Sequence, residues 1–110
     1  MVVYVNNIPW KIKFVNPTSN LLERPNGTLA LAVTDGDRKA IYLNESLKGA
    51  LLRKVLIHEV THAWMFSYDF DLSVEAEEFI CDFIASNADD ILSKVDELVY
   101  MGLLEFRAAL

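Results

Sequence analysis

The chain has two histidines, His58 and His62, set four residues apart, and Glu59 directly follows the first. Residues at that spacing lie one turn apart on the same helical face, so both imidazoles can point at one ion. The segment His58-Glu59-Val60-Thr61-His62 fits the pattern H-E-x-x-H. Zinc takes neutral imidazole nitrogens at about 2.0–2.1 Å and, in a catalytic site, keeps one position open for water. Glu59 lies about 100° around the helix from His58. That angle removes it from the ligand set but leaves it in reach of a water on the metal. Its expected role is catalytic: it takes the water's proton and passes it to a leaving amine. The chemistry predicted is peptide-bond hydrolysis with one zinc per chain.

Two histidines leave such a site incomplete. Met65 and Tyr68 occupy the glycine and final-histidine positions of the longer three-histidine motif, so an acid must complete the set. The candidates are Asp69, Asp71, Glu75, Glu77, Glu78 and Asp82. Asp69 and Asp71 fall in the loop after the first helix, whereas the later acids lie on a helix that can turn back against it. On that helix Ala76, Ile80, Phe83 and Ile84 mark the core side, while Glu78, Asp82 and Ala85 share one stripe. Glu78 is therefore the expected third ligand. Asp82, one turn on, is expected to accept the free ring N–H of a ligand histidine and fix its tautomer. Glu75 has Phe79 four residues on and reads as a first-turn acid favouring the helix dipole.

The elements that must hold these residues can be read from the pattern. Val2-Val3-Tyr4-Val5 and Trp10 to Val15 read as strands around an Asn6-Asn7-Ile8-Pro9 turn. Trp10, Ile12 and Phe14 alternate with Lys11 and Lys13, the period of a half-buried strand. A polar loop from Pro17 to Gly27 leads to a second strand pair, 28–34 and 39–43, joined by Asp35-Gly36-Asp37-Arg38. Three helices are predicted over roughly 46–67, 73–87 and 89–101, with Ser73 as the N-cap of the middle one. Strands followed by helices indicate an α+β fold: a small, mainly antiparallel sheet, then an active-site helix, a glutamate helix and a C-terminal helix.

Bulk composition sets the remaining bounds. At 110 residues the chain suits one domain, 1–110, and its 53% hydrophobic and 24% charged residues are those of a globular protein. Ten basic residues against sixteen acidic ones give a net charge of -6 with no basic patch, which argues against nucleic acid as a partner. Cys81 is the lone cysteine, so no intrachain disulfide and no cysteine zinc cluster can form. The start of the chain lacks the basic and apolar regions of a signal peptide, and the apolar runs fall short of the ~20 residues that span a bilayer. A cytoplasmic protein without membrane partners is the expectation.

With the acids placed, the pattern resembles that of a gluzincin, the class of zinc peptidase with two helix histidines and a glutamate from a following helix. The class motif Glu-x-x-x-Asp is matched by Glu78-Phe79-Ile80-Cys81-Asp82. The continuation Asp82-Phe83-Ile84-Ala85 resembles phage-associated metallopeptidases of the ImmA/IrrE group, with Cys81 in place of the usual alanine. Size and element order resemble the minimal gluzincins, or minigluzincins, including selecase-like proteins. The resemblance covers residues 40–85. It implies a minimal zincin-like fold, zinc held by His58, His62 and Glu78, and Glu59 as base. It also implies peptide or unfolded-protein substrates that add to a sheet edge from the 28–43 region. Members of the class can be latent, with the C-terminal segment or a neighbouring copy over the cleft, so self-association belongs to the same expectation. The tail from Ile91 to Phe106 is apolar at helical spacing and reads first as core or dimer surface. Many gluzincins stabilise the developing oxyanion with a further His or Tyr; here Tyr68, Tyr42 and Tyr100 are the candidates, ahead of Arg53 and Arg107. The alternative from another class is a zinc-binding regulatory or phage-associated interaction domain without peptidase activity.

Overall fold

A computed structural model describes residues 1–102. Four strands come first: β1 (Val2–Val5), β2 (Ile8–Val15), β3 (Ala32–Asp35) and β4 (Ala40–Asn44). Two helices follow, α1 (Gly49–Tyr68) and α2 (Val74–Tyr100), and one turn of 3-10 helix, Asn20–Leu22, lies between β2 and β3. The fold is α+β. The sheet order is β1-β2-β4-β3; β1/β2 and β3/β4 are antiparallel, and the central β2/β4 pair is parallel.

The first hairpin is tighter than the sequence suggests. Val5 pairs with Ile8, and Asn6 and Asn7 both take positive φ, at 49° and 65°. A two-residue turn with both φ positive matches the right-handed twist of the strands it joins, and asparagine tolerates that region. Ile8 and Pro9 therefore belong to β2 and not to the turn. Pro9 stays compatible with the sheet because β2 meets β4 only from Lys11 onwards.

β4 lies in the middle of the protein. Ala40, Ile41, Tyr42 and Leu43 are all buried because both faces of this strand are covered. On one face Ile41 and Leu43 join Val5, Trp10, Leu47 and Ala63 in the main core, against Val55, Leu56 and Val60 of α1. On the other, Ala40 and Tyr42 pack with Leu22 of the 3-10 turn. The strand expected over 28–34 is confined to Ala32–Asp35. Residues before it are drawn towards the polar loop: Leu29 bridges to Glu23, and Ala30 N–H donates to the Leu22 carbonyl.

The helices expected at 73–87 and 89–101 are one continuous helix, α2. Ser73 caps it as expected, its hydroxyl accepting from Ala76 N–H at 3.1 Å. No glycine or proline interrupts Asn87-Ala88-Asp89-Asp90, and the Asn87 amide donates back to the Phe83 carbonyl at 2.9 Å, so nothing breaks the ladder there. The two helices run antiparallel, fastened by Arg53–Asp89, His58–Asp82 and His62–Glu78 contacts in opposite order along them. Arg53 is already near the start of α1, so α2 beyond Asp89 outruns its neighbour. All residues from Ile91 to Tyr100 are exposed for that reason.

Candidate metal centre

The last three turns of α1 carry His58, Glu59 and His62, and the first three turns of α2 carry Glu77, Glu78 and Asp82. Their helical spacing and the antiparallel register bring the two sets face to face. His58 and His62 lie with Nε2 atoms 3.2 Å apart. Glu78 meets both: Oε2 is 3.3 Å from His58 Nε2, and Oε1 is 2.9 Å from His62 Nε2. The remaining ring nitrogens are also engaged. His58 Nδ1 lies 2.9 Å from Asp82 Oδ1, and His62 Nδ1 lies 2.8 Å from Glu77 Oε2.

Each imidazole thus meets a carboxylate at both nitrogens; with a cation held at the two Nε2 atoms, the Nδ1 protons would be donated to Asp82 and Glu77. The two Nε2 atoms, 3.2 Å apart with a carboxylate against both, form an arrangement that a bound cation would satisfy. Around a tetrahedral ion with bonds of about 2.0–2.1 Å, neighbouring donors stand about 3.3 Å apart. The two Nε2 atoms, 3.2 Å apart, meet that spacing, and Glu78 brings one carboxylate oxygen to each of them, at 2.9 and 3.3 Å. Histidine, histidine and carboxylate also form a donor set that zinc accepts, so these residues fit the metal in number, chemistry and spacing.

Glu59 faces the sheet side of the same cleft. It is the buried acid of α1, 8% exposed, and its Oε2 accepts from the Thr34 hydroxyl at 2.6 Å. Thr34 lies on β3, the sheet's edge strand, which runs beside α1. The cleft holds about 500 Å³ and is bounded by Ala32 and Thr34 of β3, by carboxylate- and imidazole-bearing residues that include His58, Glu59, His62 and Glu78, and by Phe66 and Phe70. Gly36 in the β3–β4 turn lies flat against the Phe66 ring, where a Cβ would enter the ring itself.

The structure thus brings His58, Glu59, His62, Glu78 and Asp82 together as the sequence reading placed them. Glu77, weighed there only as a ligand, is instead the partner of His62. Adjacent helical positions point about 100° apart, and only the register of α1 against α2 brings both Glu77 and Glu78 to the histidines. Asp69 lines the cleft, while Asp71 and Glu75 do not. The expected oxyanion tyrosines lie elsewhere. Tyr68 is stacked between Trp64 and Phe70, Tyr42 is buried beside the 3-10 turn, and Tyr100 is 92% exposed at the end of α2. Arg53 is held by Asp89. Arg107 and the tail from Leu103 lie outside the described residues.

No family model, curated protein or solved structure matches this chain.

Proposed function

We propose that this chain is a zinc-dependent peptidase of the gluzincin type, akin to the minigluzincins and the ImmA/IrrE group. One observation carries the reading: two imidazole nitrogens and a carboxylate oxygen converge within 4.8 Å of one another, each imidazole backed by an acid, with a buried carboxylate on the adjoining wall. When bound, zinc supplies Lewis acidity to a substrate carbonyl and makes water a competent nucleophile near pH 7.

The residues of the chain do the rest. His58, His62 and Glu78 hold the ion. Asp82 and Glu77 keep the imidazoles in the ligating tautomer. Glu59 takes a proton from water as its oxygen attacks the carbonyl carbon, then delivers that proton to the amine as the carbon–nitrogen bond breaks. Thr34 holds Glu59 by one oxygen, leaving the other for the proton. β3 pairs with β4 on one side only among the described residues, so an extended peptide can add along its open edge. Peptides and unfolded proteins are the substrate class this suits. Among the described residues no helix is long and apolar enough to cross a membrane. A cytoplasmic protein without nucleic-acid or membrane partners is part of the proposal.

A second reading keeps the zinc and drops the hydrolysis: a regulatory or phage-associated interaction domain. The bare apolar half of α2 favours it, since such a surface suits a partner or a second copy, and a copy there would also fit a latent enzyme.

Zinc content by elemental analysis, followed by incubation with a denatured protein, tests the proposal. One zinc per chain, and cleavage abolished by a chelator and by Glu59→Gln, is the expected result. Cleavage that survives the chelator, or a protein that takes up no zinc from excess metal, would sink it. One zinc without cleavage would leave the regulatory domain.

A further inference from the structure

Beside the zinc cleft a smaller recess of about 270 Å³ opens, sharing Arg24, Ala30, Ala32, His58 and Glu59 with it and adding Leu51 and Lys54 of α1 and Asp82 of α2. The charges here are unevenly committed. Asp82 is taken by His58, Glu77 by His62, Glu78 by both histidines and Glu59 by Thr34. Arg24 and Lys54 form no ion pair among the described residues. In a chain of net charge -6, two cations without an ion pair among the described residues flank a recess that adjoins the reactive centre.

Arg24 is also held in place. Its backbone closes a tight loop, with Arg24 N–H donating to the Thr28 carbonyl at 2.8 Å and Gly27 N–H to the Arg24 carbonyl at 2.9 Å. Gly27 takes φ +84° to make that turn. One guanidinium nitrogen, Nη1, is fastened to Thr28 Oγ1 and the Leu29 carbonyl at 3.3 and 3.4 Å. Those contacts use a single nitrogen and leave the rest of the planar fork free to take a carboxylate.

We infer that this recess binds a carboxylate of the peptide substrate, an acidic side chain or a free C-terminus, and that Arg24 is the specificity-determining residue with Lys54 in support. The inference rests on the zinc-peptidase reading of the cleft. It goes beyond that reading by naming which peptides the site prefers.

The test uses binding, not turnover. Zinc-loaded Glu59→Gln protein is titrated, by fluorescence anisotropy, with short dye-labelled peptides bearing a zinc-chelating hydroxamate at one end or the other. Each carries Gln, Glu or Lys beside the hydroxamate, and the N-terminal hydroxamates end in an amide or a free carboxylate. A carboxylate probe is expected to bind about five- to ten-fold tighter than its neutral twin, the worth of one or two partly screened charged contacts. Arg24→Gln should erase that preference, and its zinc content, still one per chain by elemental analysis, would show the metal centre intact. Arg24→Glu should turn the preference towards a Lys probe, and Lys54→Gln should reduce it. Whether the Glu or the free-terminus probe responds identifies the source of the carboxylate. Equal binding of charged and neutral probes, or a preference that survives Arg24→Gln, overturns the assignment of Arg24. Binding of no hydroxamate overturns the metal centre and this inference together. Discrimination without any peptide cleavage by the unsubstituted protein upholds Arg24 and removes the hydrolysis.

Discussion

Thr34 Oγ1 lies 2.6 Å from Oε2 of Glu59 and 3.0 Å from that residue's own backbone carbonyl. The bond joins the edge strand to the active-site helix, so the strand proposed to carry the substrate also orients the proposed base. Removing a hydrogen bond to a buried charged group costs about 2 kcal/mol. Thr34→Val is expected to lower the urea midpoint accordingly and to reduce kcat more than it changes KM. An unchanged midpoint would mean that Glu59 is held by something other than Thr34.

Zinc should stabilise the folded chain, because the donor set exists only when α1 and α2 are docked. At a thousand times the Kd, a ligand specific to the folded state adds about 4 kcal/mol. In a domain of this size each kcal/mol moves Tm by about 4–8 °C. Differential scanning fluorimetry should therefore show an upward shift of roughly 15 °C or more, reversed by a chelator and absent in His58→Ala and Glu78→Ala. A shift that persists in both variants would place the metal elsewhere.

Asp82 and Glu77 bear the same relation to His58 and His62, at 2.9 and 2.8 Å. Removing an acid behind a ligand histidine weakens metal binding by about 10–100-fold. Asp82→Ala and Glu77→Ala should each weaken zinc within that range and by similar factors, read by competition with a fluorescent chelator. Loss on Asp82→Ala alone would show that Glu77 is only a surface acid.

The Arg53–Asp89 pair is bidentate, at 2.9 and 2.7 Å, and its hydrogen bonds hold the Asp89 carboxyl below the ordinary aspartate value. A depressed carboxyl contributes stability that is complete above its unfolded-state value and is lost as pH falls through its folded-state value. Between pH 5 and pH 3 the chain should lose more stability than Asp89→Asn does. Urea titrations at a series of pH values would show parallel curves if the pair contributes nothing.

Cys81 is wholly buried on α2 behind the carboxylates, and burial first, then Glu77, pushes its thiol up to about 12. The thiolate is the reactive form, so a thiol reagent at pH 8 should leave the native chain unmodified and label it after unfolding. In the unfolded chain the thiol ionises first, so this group lowers stability as pH rises above about 9. Rapid labelling of the native chain would show that α2 separates readily from the core.

The sequence by itself determined the parts whose logic is local. The i, i+4 histidines share a helical face wherever that helix lies, and Glu78 and Asp82 share another, so both halves of the centre could be read from spacing alone. Strand alternation, the Ser73 cap and the strands-then-helices order gave the α+β class in the same way. Only the tertiary structure decided what depends on which elements meet. It joined Glu77 to His62 and Thr34 to Glu59, partners 15 and 25 residues apart that no periodicity connects. It placed the parallel β2/β4 pair at the centre of the sheet, because Tyr42 and Ile41 both need cover. It also merged two expected helices into one: a polar run without glycine or proline looks like a boundary in sequence, but backbone hydrogen bonds cross it unbroken and Arg53 fixes its Asp89. Arg24 came to the cleft by loop closure, and its place there follows from the fold around it.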